Sequence, residues 1–329
     1  MHDQDESKSI GIIGGGVAGL AAAKLLTDEN HKVAIFDKGR IPGGRAATRG
    51  PSPFAFDHGA QYFTGRDPEF KRFIEQCVRS NKVAQWYGRI MKIGPDSATL
   101  LENQEPRWVG IPQMNAIAKH LSEGQEISSS TRIVQLERTN NQWHLHDEQG
   151  RSWGPFDDLL ITTPAEQAAD LVGDLSPISS VLRQVEMQPC WAVLCGFAKP
   201  LDVSFDGAFC HDSHLSWVCR NNSKPGRSQA ESWVLHASRE WTSTHQSLDK
   251  IQVSRQLIKE LERLTLTTLP DVTHTDAHFW KYSQPKDELA SKNIQDLSIH
   301  LHVAGDAFQG GRVEGAWLSG VKAARTIMG

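Results

Sequence analysis

Gly14, Gly16 and Gly19 stand in G-x-G-x-x-G spacing within the run Ile10-Gly-Ile-Ile-Gly-Gly-Gly-Val-Ala-Gly19. Each glycine has a separate job in holding a pyrophosphate. Gly14 permits a tight turn, Gly16 lets the phosphates approach the backbone, and Gly19 lets helix and strand pack closely. The helix that follows, with Ala18 in its start, offers free N–H groups and a partial positive charge to an anion. About 20 residues further on stands an acid, Asp37, suited to accept hydrogen bonds from a ribose diol, with Lys38 beside it. Gly43, Gly44 and Arg45 follow. They bring backbone and a guanidinium fork towards a second phosphate or a ribityl chain. Late in the chain Gly305-Asp306 and the run Gly310-Gly-Arg-Val-Glu-Gly-Ala-Trp317 supply a second anchor. An acid at a strand end can hold ribityl hydroxyls, and the next helix can direct its N-terminus at a flavin. A single nicotinamide-binding unit does not explain anchors at both ends, whereas a long FAD molecule does.

The elements that must position these residues are legible as patterns. Ile10–Ile13 reads as a buried strand, Val17–Leu26 as a helix of small and aliphatic residues, and Lys32–Phe36 as the next strand. Residues 39–53 form a Gly- and Pro-rich loop. Asp67–Asn81 reads as a helix with Phe70, Phe73, Ile74 and Val78 on one side, and Trp86–Trp108 as short strands and turns. Gln113–Leu121 reads as a helix. Thr131–Glu137 and Gln142–Asp147 read as a hairpin turning at Asn140-Asn141, and Leu159–Thr163 as a buried strand ended by Pro164. The middle is strand-like and rich in tryptophan (Cys190–Phe197, Leu215–Arg220, Ser232–Ser238). A helix over Leu248–Leu264, a strand over Ile299–Ala304 and a small-residue helix running to Met328 complete the pattern. The expected fold is α/β. A Rossmann-like FAD-binding domain is assembled from residues 1–70, 108–178 and 296–329. A mixed α+β substrate domain takes 71–107 and 179–295. Such a layout suits a ligand cleft.

Composition excludes several classes. The 329 residues are 39% hydrophobic and 22% charged, with a net charge of −4, as in a globular protein. The acidic balance argues against nucleic acid or an anionic membrane as a general partner. No apolar run approaches the roughly 18 residues of a membrane span. The first nine residues are polar, without the apolar core of a secretory signal. Five cysteines without C-x-x-C fit a reducing cytoplasm and give no zinc site. His144 with His146, and His300 with His302, would each share a strand face, with no acidic or cysteine partner close in sequence, so no metal is expected.

At this point a resemblance becomes specific. The chain resembles the two-dinucleotide-binding-motif flavoproteins of the amine-oxidase superfamily and, within them, the renalase family, above all its bacterial members. The segments that carry it are Asp37-Lys38 with Gly43–Arg45, Asp57-His-Gly-Ala-Gln-Tyr-Phe63, Arg107-Trp-Val-Gly110, and Arg220-Asn221 with Ser223–Arg227. Trp233–His236 and Gly311–Trp317 complete the set. The resemblance implies noncovalent FAD. Its pyrophosphate would lie at Gly14, Gly16, Ala18 and Gly19, and its adenosine ribose on Asp37 beside Lys38. Gly44 and Arg45 would hold the phosphate–ribityl region, and Gln61 and Tyr62 would flank the isoalloxazine. Ile133 would present backbone to the adenine. Gly305, Asp306, Val313 and Glu314 would close over the flavin end.

The same resemblance implies oxidation of 2- and 6-dihydro-NAD(P) isomers. A hydride passes to flavin N5, NAD(P)+ is released, and dioxygen returns the flavin to its oxidised form with hydrogen peroxide as product. Partners would be this dinucleotide substrate and dioxygen, in the cytoplasm. His236 and Asn221 would bind the carboxamide, while Tyr62, Trp217 and Trp280 would shape the ring pocket. Amine oxidases of the superfamily hold the amine between aromatic rings, one of them a tyrosine in a Gly-Tyr-Met-Glu-Gly-Ala-like run. Here Arg312 takes that place, which favours an anionic ligand over a protonated amine. The alternatives are an amine or polyene oxidase or desaturase of the same superfamily, and a flavin-binding or signalling protein without turnover. Lys224 and Arg227 read either as a phosphate site at a cleft mouth or as a solvated turn.

Overall fold

The computed structural model describes residues 7–102, 105–287 and 294–329. Two compact units divide it. The first takes the chain up to Gly44, Ile117–Met187 and Gln284–Gly329; the second takes Arg45–Ala116 and Gln188–Ser283. The first unit therefore breaks at 44 rather than 70. The segment after the second glycine pair leaves the Rossmann sheet at once, and Asp57 and its neighbours build the second unit.

The first unit is a sheet of six strands. Ser9–Ile13 lies between Lys32–Phe36 on one side and Asp158–Ile161 on the other, all parallel. Glu126–Ser128 extends the first side, and Leu301–Val303 the second, also in parallel. Ile294–Asp296 closes the second edge antiparallel. Strand order thus reverses at Ser9–Ile13, and the crevice beyond the carboxyl ends at such a reversal is the usual ligand position. Helix Val17–Asp28 covers the sheet with Val17, Ala18, Leu20–Ala23 and Leu26 buried. The last helix, Val313–Met328, packs on it so closely that a Cβ on Gly320 would overlap the Ala18 carbonyl. The hairpin of Ile133–Thr139 and Gln142–Asp147 turns at Asn140 and Asn141, both at positive φ (53° and 64°). Ser152–Phe156 adds a third strand.

The second unit is a seven-stranded sheet. Its order is Val272–Pro285, Met187–Phe197, Ser232–Ala237, Leu215–Arg220, Gly207–Cys210, Ile90–Gly94, Ser97–Leu100. Helix Lys250–Thr265 packs Val253, Leu257 and Leu261 against a core that includes Trp191, Trp233 and Trp241. Asp249 caps it with a reciprocal Gln252 capping box. Asp67 caps Pro68–Arg79 in the same manner of side chain to backbone, so both ends of that helix fall within a residue or two of the pattern. The tryptophans at strand spacing are mostly core. Trp191, Trp217 and Trp233 are all buried.

The register also corrects the histidine expectation. His302 Nε2 lies 3.1 Å and His300 Nδ1 3.5 Å from buried Asp158, and His146 lies 3.2 Å from Glu137 across the hairpin. Each carboxylate is brought in by strand pairing, not by sequence neighbourhood. Among the described residues no helix is long and apolar enough to cross a membrane.

Candidate functional site

In the first unit the candidate residues gather at the carboxyl ends of the parallel strands. Gly14 follows Ile13 with φ +113°, a conformation that favours glycine. Gly16 is the N-cap of Val17–Asp28, a helix with no side-chain cap and no acid in its first turn. A Cβ on Gly19 would overlap the Gly14 carbonyl oxygen, and one on Gly15 would meet Asp37 Oδ2 at 2.5 Å. On Gly16, by contrast, a Cβ meets nothing within 4 Å. Packing explains two of these glycines, whereas at Gly16 the space is kept open on the side where phosphates would approach. Asp37 ends the second strand and accepts hydrogen bonds from Gly15 N and Gly39 N, each 2.6 Å. Burial pushes its carboxyl up from the usual value, against the pull of those two N–H groups. Lys38 beside it is exposed. The loop then folds back over the turn. Gly43 N donates to Gly15 O at 2.8 Å, and Gly44, at φ +52°, lies against Gly16.

The remaining residues of this unit close the same end. Thr131 N donates to Asp37 O at 2.8 Å, which brings buried Ile133, at the start of the hairpin, beside the ribose acid. Gly305 N donates to Ser319 Oγ at 3.0 Å. Buried Asp306 takes Gln309 N and Gly311 N on its carbonyl. Val313 and buried Glu314 open the last helix, and exposed Arg312 is its N-cap. These residues fit FAD. An uncapped helix N-terminus and the open face at Gly16 suit the pyrophosphate, Asp37 the ribose, and Gly305 to Glu314 a second stretch of the same long molecule.

In the second unit Arg45 Nη1 donates to Ser283 O at 3.1 Å, and its carbonyl accepts from Ala60 N at 2.8 Å. The segment after Asp57 is organised by a buried ionic cluster that the sequence did not reveal. Asp57 is fully buried. Its Oδ2 takes Arg227 Nη2 at 2.6 Å and Lys224 Nζ at 3.2 Å; its Oδ1 takes Thr48 Oγ1 at 2.7 Å and Met114 N at 3.1 Å. Burial alone would raise this carboxyl, but the two cations override it and hold it down at about 2. Lys224 is neither a phosphate site nor a solvated turn, because its side chain is 0% exposed and Arg227's only 1%. Its ammonium also reaches Gln61 Oε1 at 3.2 Å and Asn221 Oδ1 at 3.3 Å. Gln61 Nε2 donates to Asp57 O and Gly59 O. Asn221, 1% exposed, donates to Ala55 O at 2.7 Å and accepts from Asp57 N at 3.2 Å. Both amide groups of Asn221 and Gln61 are therefore engaged inside this unit. The cluster stiffens the segment that carries Tyr62. A hint was present, since Asp57 directly follows the apolar run Phe54-Ala-Phe56.

Around Tyr62 stands a wall of rings. Trp86 and Trp217 lie at centroid distances of 6.1 and 5.8 Å, Phe209 lies 4.7 Å beyond Trp217, and the Arg107 guanidinium sits 5.4 Å over the Tyr62 ring. The paired backbone bonds between Phe63 and Trp108, 2.9 and 2.8 Å, fix that approach. Trp217 Nε1 is buried without a hydrogen-bond partner among the described residues. His236 Nε2 donates to His58 O at 3.1 Å, and Trp280 Nε1 to the same oxygen at 2.9 Å. A carbonyl only accepts, so the His236 proton sits on Nε2 and Nδ1 is left an acceptor. Burial lowers His58 to about 3 and His236 to about 4; burial and then Arg49 lower His278 to about 4. All three imidazoles are neutral at neutral pH.

Comparison with known proteins agrees with this fold. Residues 90–328 match the family described as flavin containing amine oxidoreductase, and residues 12–77 match an NAD(P)-binding Rossmann-like domain. The chain belongs to the flavin containing amine oxidoreductases and is an FAD-dependent oxidoreductase of that family. Its fold is shared by a proposed protoporphyrinogen oxidase from Exiguobacterium sp. 255-15 (TM-score 0.80, 13% identity, 98% of this chain and 99% of that one). Cyclohexylamine oxidase from Brevibacterium oxydans IH-35A is similar (0.77, 12%, 98% and 99%), as is putrescine oxidase with putrescine bound (0.72, 11%, 98% and 99%). In sequence it is 20% identical over 225 residues to the tRNA 5-methylaminomethyl-2-thiouridine biosynthesis bifunctional protein of Thiobacillus denitrificans. That match takes in 55% of this chain and only 36% of the relative's length.

Proposed function

We propose that the protein oxidises dihydronicotinamide dinucleotides reduced at the 2- or 6-position of the ring, releasing NAD(P)+. The balance is substrate plus dioxygen plus one proton, giving NAD(P)+ and hydrogen peroxide. Bound noncovalently, FAD supplies the hydride acceptor at N5 and the reaction with dioxygen. The protein's share is to bind and orient, because the ring nitrogen's lone pair drives hydride release and no base is required.

The observation that carries the reading is the wall around Tyr62. It joins flat π surface, the Arg107 cation and the unpartnered Trp217 N–H. A planar carboxamide ring with an anionic tail matches all three. An ammonium substrate would face the Arg107 charge. His236 Nδ1 offers an acceptor to the carboxamide N–H group. Exposed Arg312, in place of a ring, adds positive charge at the start of the last helix.

The direct test is anaerobic mixing of the yellow protein with 2- and 6-dihydro-NAD, 4-dihydro-NAD, putrescine and cyclohexylamine. Bleaching by the 2- and 6-isomers alone, reversed by air with one peroxide per turnover, supports the proposal. Bleaching by the amines alone replaces it with amine oxidation, the chemistry named for two structural neighbours.

Two further expectations arise here. Arg107→Met should raise KM for the dinucleotide about tenfold, ~1.4 kcal/mol, and leave kcat within about threefold. An equal fall in kcat would place Arg107 in the chemical step instead. The pH profile of flavin reduction should be flat from pH 6 to 9, because His58, His236 and His278 hold their protons only well below that range. A bell-shaped profile in stopped-flow traces would reveal acid–base work that this mechanism lacks.

A further inference from the structure

Helix Lys250–Thr265 overhangs one edge of the seven-stranded sheet. That edge is the strand Val272–Pro285, the terminal strand in the order. Lys250 pairs with Asp276 at 3.1 Å, and Leu269 N reaches Glu262 Oε1 at 3.4 Å. The helix and the first part of the strand therefore run side by side in opposite directions. Between them lies a groove of about 590 Å³. Its helical wall is one stripe that includes Ile251, Ser254, Arg255, Ile258, Lys259 and Glu262, and Val272, Thr275 and Asp276 of the strand complete it. From Lys250 to Glu262 the stripe is ~18 Å long at 1.5 Å per residue. That length takes about five residues of extended chain.

Three features of this groove point to the same occupant. The strand beside it carries β-branched Val272, Thr273 and Thr275, all exposed, with no proline before Pro285 to block edge pairing. Its wall is apolar where it is most open, with Ile251 71% and Val272 42% exposed. Its charge is unbalanced towards the positive, with Lys250, Arg255 and Lys259 against Glu262 and Asp276. Asp276 is held by both Arg49 and Lys250, while exposed Arg255 and Lys259 have no acidic partner among the described residues.

We propose that this groove is a docking site for an extended segment of a partner protein whose helix-facing positions, every second residue, are aliphatic, acidic and aliphatic in turn. The segment adds to the sheet as an eighth strand through the backbone of Val272–Asp276. Its two aliphatic side chains lie on Ile251 and Ile258, and the carboxylate between them meets Arg255 and Lys259. A second copy of this chain is disfavoured, because a two-fold contact at this edge would set the Arg255 and Lys259 stripes of both copies against each other.

The probe is a fluorescein-labelled seven-residue peptide, threonine at odd positions with valine, glutamate and valine at positions two, four and six, titrated into the flavin-loaded protein and followed by anisotropy. It should bind at least tenfold more tightly than its lysine counterpart. Methylating alternate backbone nitrogens should weaken it at least tenfold, because strand addition needs those N–H groups. Arg255→Glu with Lys259→Glu should reverse the charge preference while oxidase activity stays at the parent value. Amides of Val272–Asp276 should exchange more slowly with the peptide bound. Absence of binding, or binding indifferent to N-methylation or to the charge reversal, overturns the proposal. So does a concentration-dependent dimer dissolved by Ile251→Glu, which assigns the edge to a second copy. Binding to phosphatidylserine vesicles, lost in the double variant and without any peptide binding, assigns it to a lipid surface.

Discussion

Asp57→Ala is expected to lower stability by about 3–5 kcal/mol, because it leaves two buried cations facing each other without their shared carboxylate. The change should appear as a large fall in the urea midpoint followed by tryptophan emission. Lys224→Met should cost less, since Arg227 still neutralises Asp57. Converting all three to apolar residues, Asp57→Leu with Lys224→Met and Arg227→Met, should recover much of the loss. A midpoint unchanged in Asp57→Ala would mean that the cluster contributes nothing. Acid should act on the same region. Asp57 is depressed to about 2 in the folded protein, so its contribution is complete above the unfolded carboxylate range and is lost as pH falls through about 2. The buried histidines start the loss sooner. Unfolded, they take up protons near 6.5, whereas folded His58 waits until about 3 and His236 until about 4. Stability should therefore begin to decline below about pH 6.5.

The glycine turn supports the second large effect, a contrast between two identical substitutions. Gly19→Ala drives a methyl group into the Gly14 carbonyl and to 2.7 Å from Thr162 Oγ1. It should lower the unfolding midpoint of flavin-free protein and abolish FAD retention. Gly16→Ala meets no protein atom within 4 Å. Its flavin-free midpoint should match the parent, while FAD affinity falls roughly tenfold or more, ~1.4 kcal/mol per decade. The 450-to-280 nm absorbance ratio after desalting reads the second quantity. Equal FAD affinity in Gly16→Ala would remove the pyrophosphate from this turn.

How far the sequence reaches follows from range. The first strand–helix–strand and the helix after Asp67 are set by contacts a few residues apart, and periodicity and capping gave them within a residue or two. Glu126–Ser128, Ser152–Phe156 and Gly207–Cys210 escaped notice, because strands of three to five residues carry too few alternations to count. The fourteen-residue strand Val272–Pro285 escaped for another reason. Its apolar positions are diluted by threonine, by Lys281, and by His274 and His278, which meet Phe54, Phe56 and Arg49 of a distant segment. Asp57, Lys224 and Arg227 are separated by up to 170 positions, so no local pattern joins them. Among the site residues, Gly14 and Gly19 were readable because a positive φ and a close helix–turn contact demand glycine there. Asn221 was read as a substrate contact, but its place in the buried cluster was not legible, because its partners Ala55 and Asp57 lie 166 and 164 positions away.

The braided path of the first unit also sets a timetable for synthesis. Ser9–Ile13 leaves the ribosome early, yet its parallel neighbour Asp158–Ile161 arrives some 150 residues later, and Leu301–Val303 later still. The first helix meets its partner only when Val313–Met328 has been made. Until then the nascent chain carries an open strand edge and a bare apolar helix face. The cofactor cradle is thus complete only once that last helix has been made. A C-terminal truncation that removes only Val313–Met328 should leave a nascent product dependent on chaperones, not a smaller protein that folds at the usual pace.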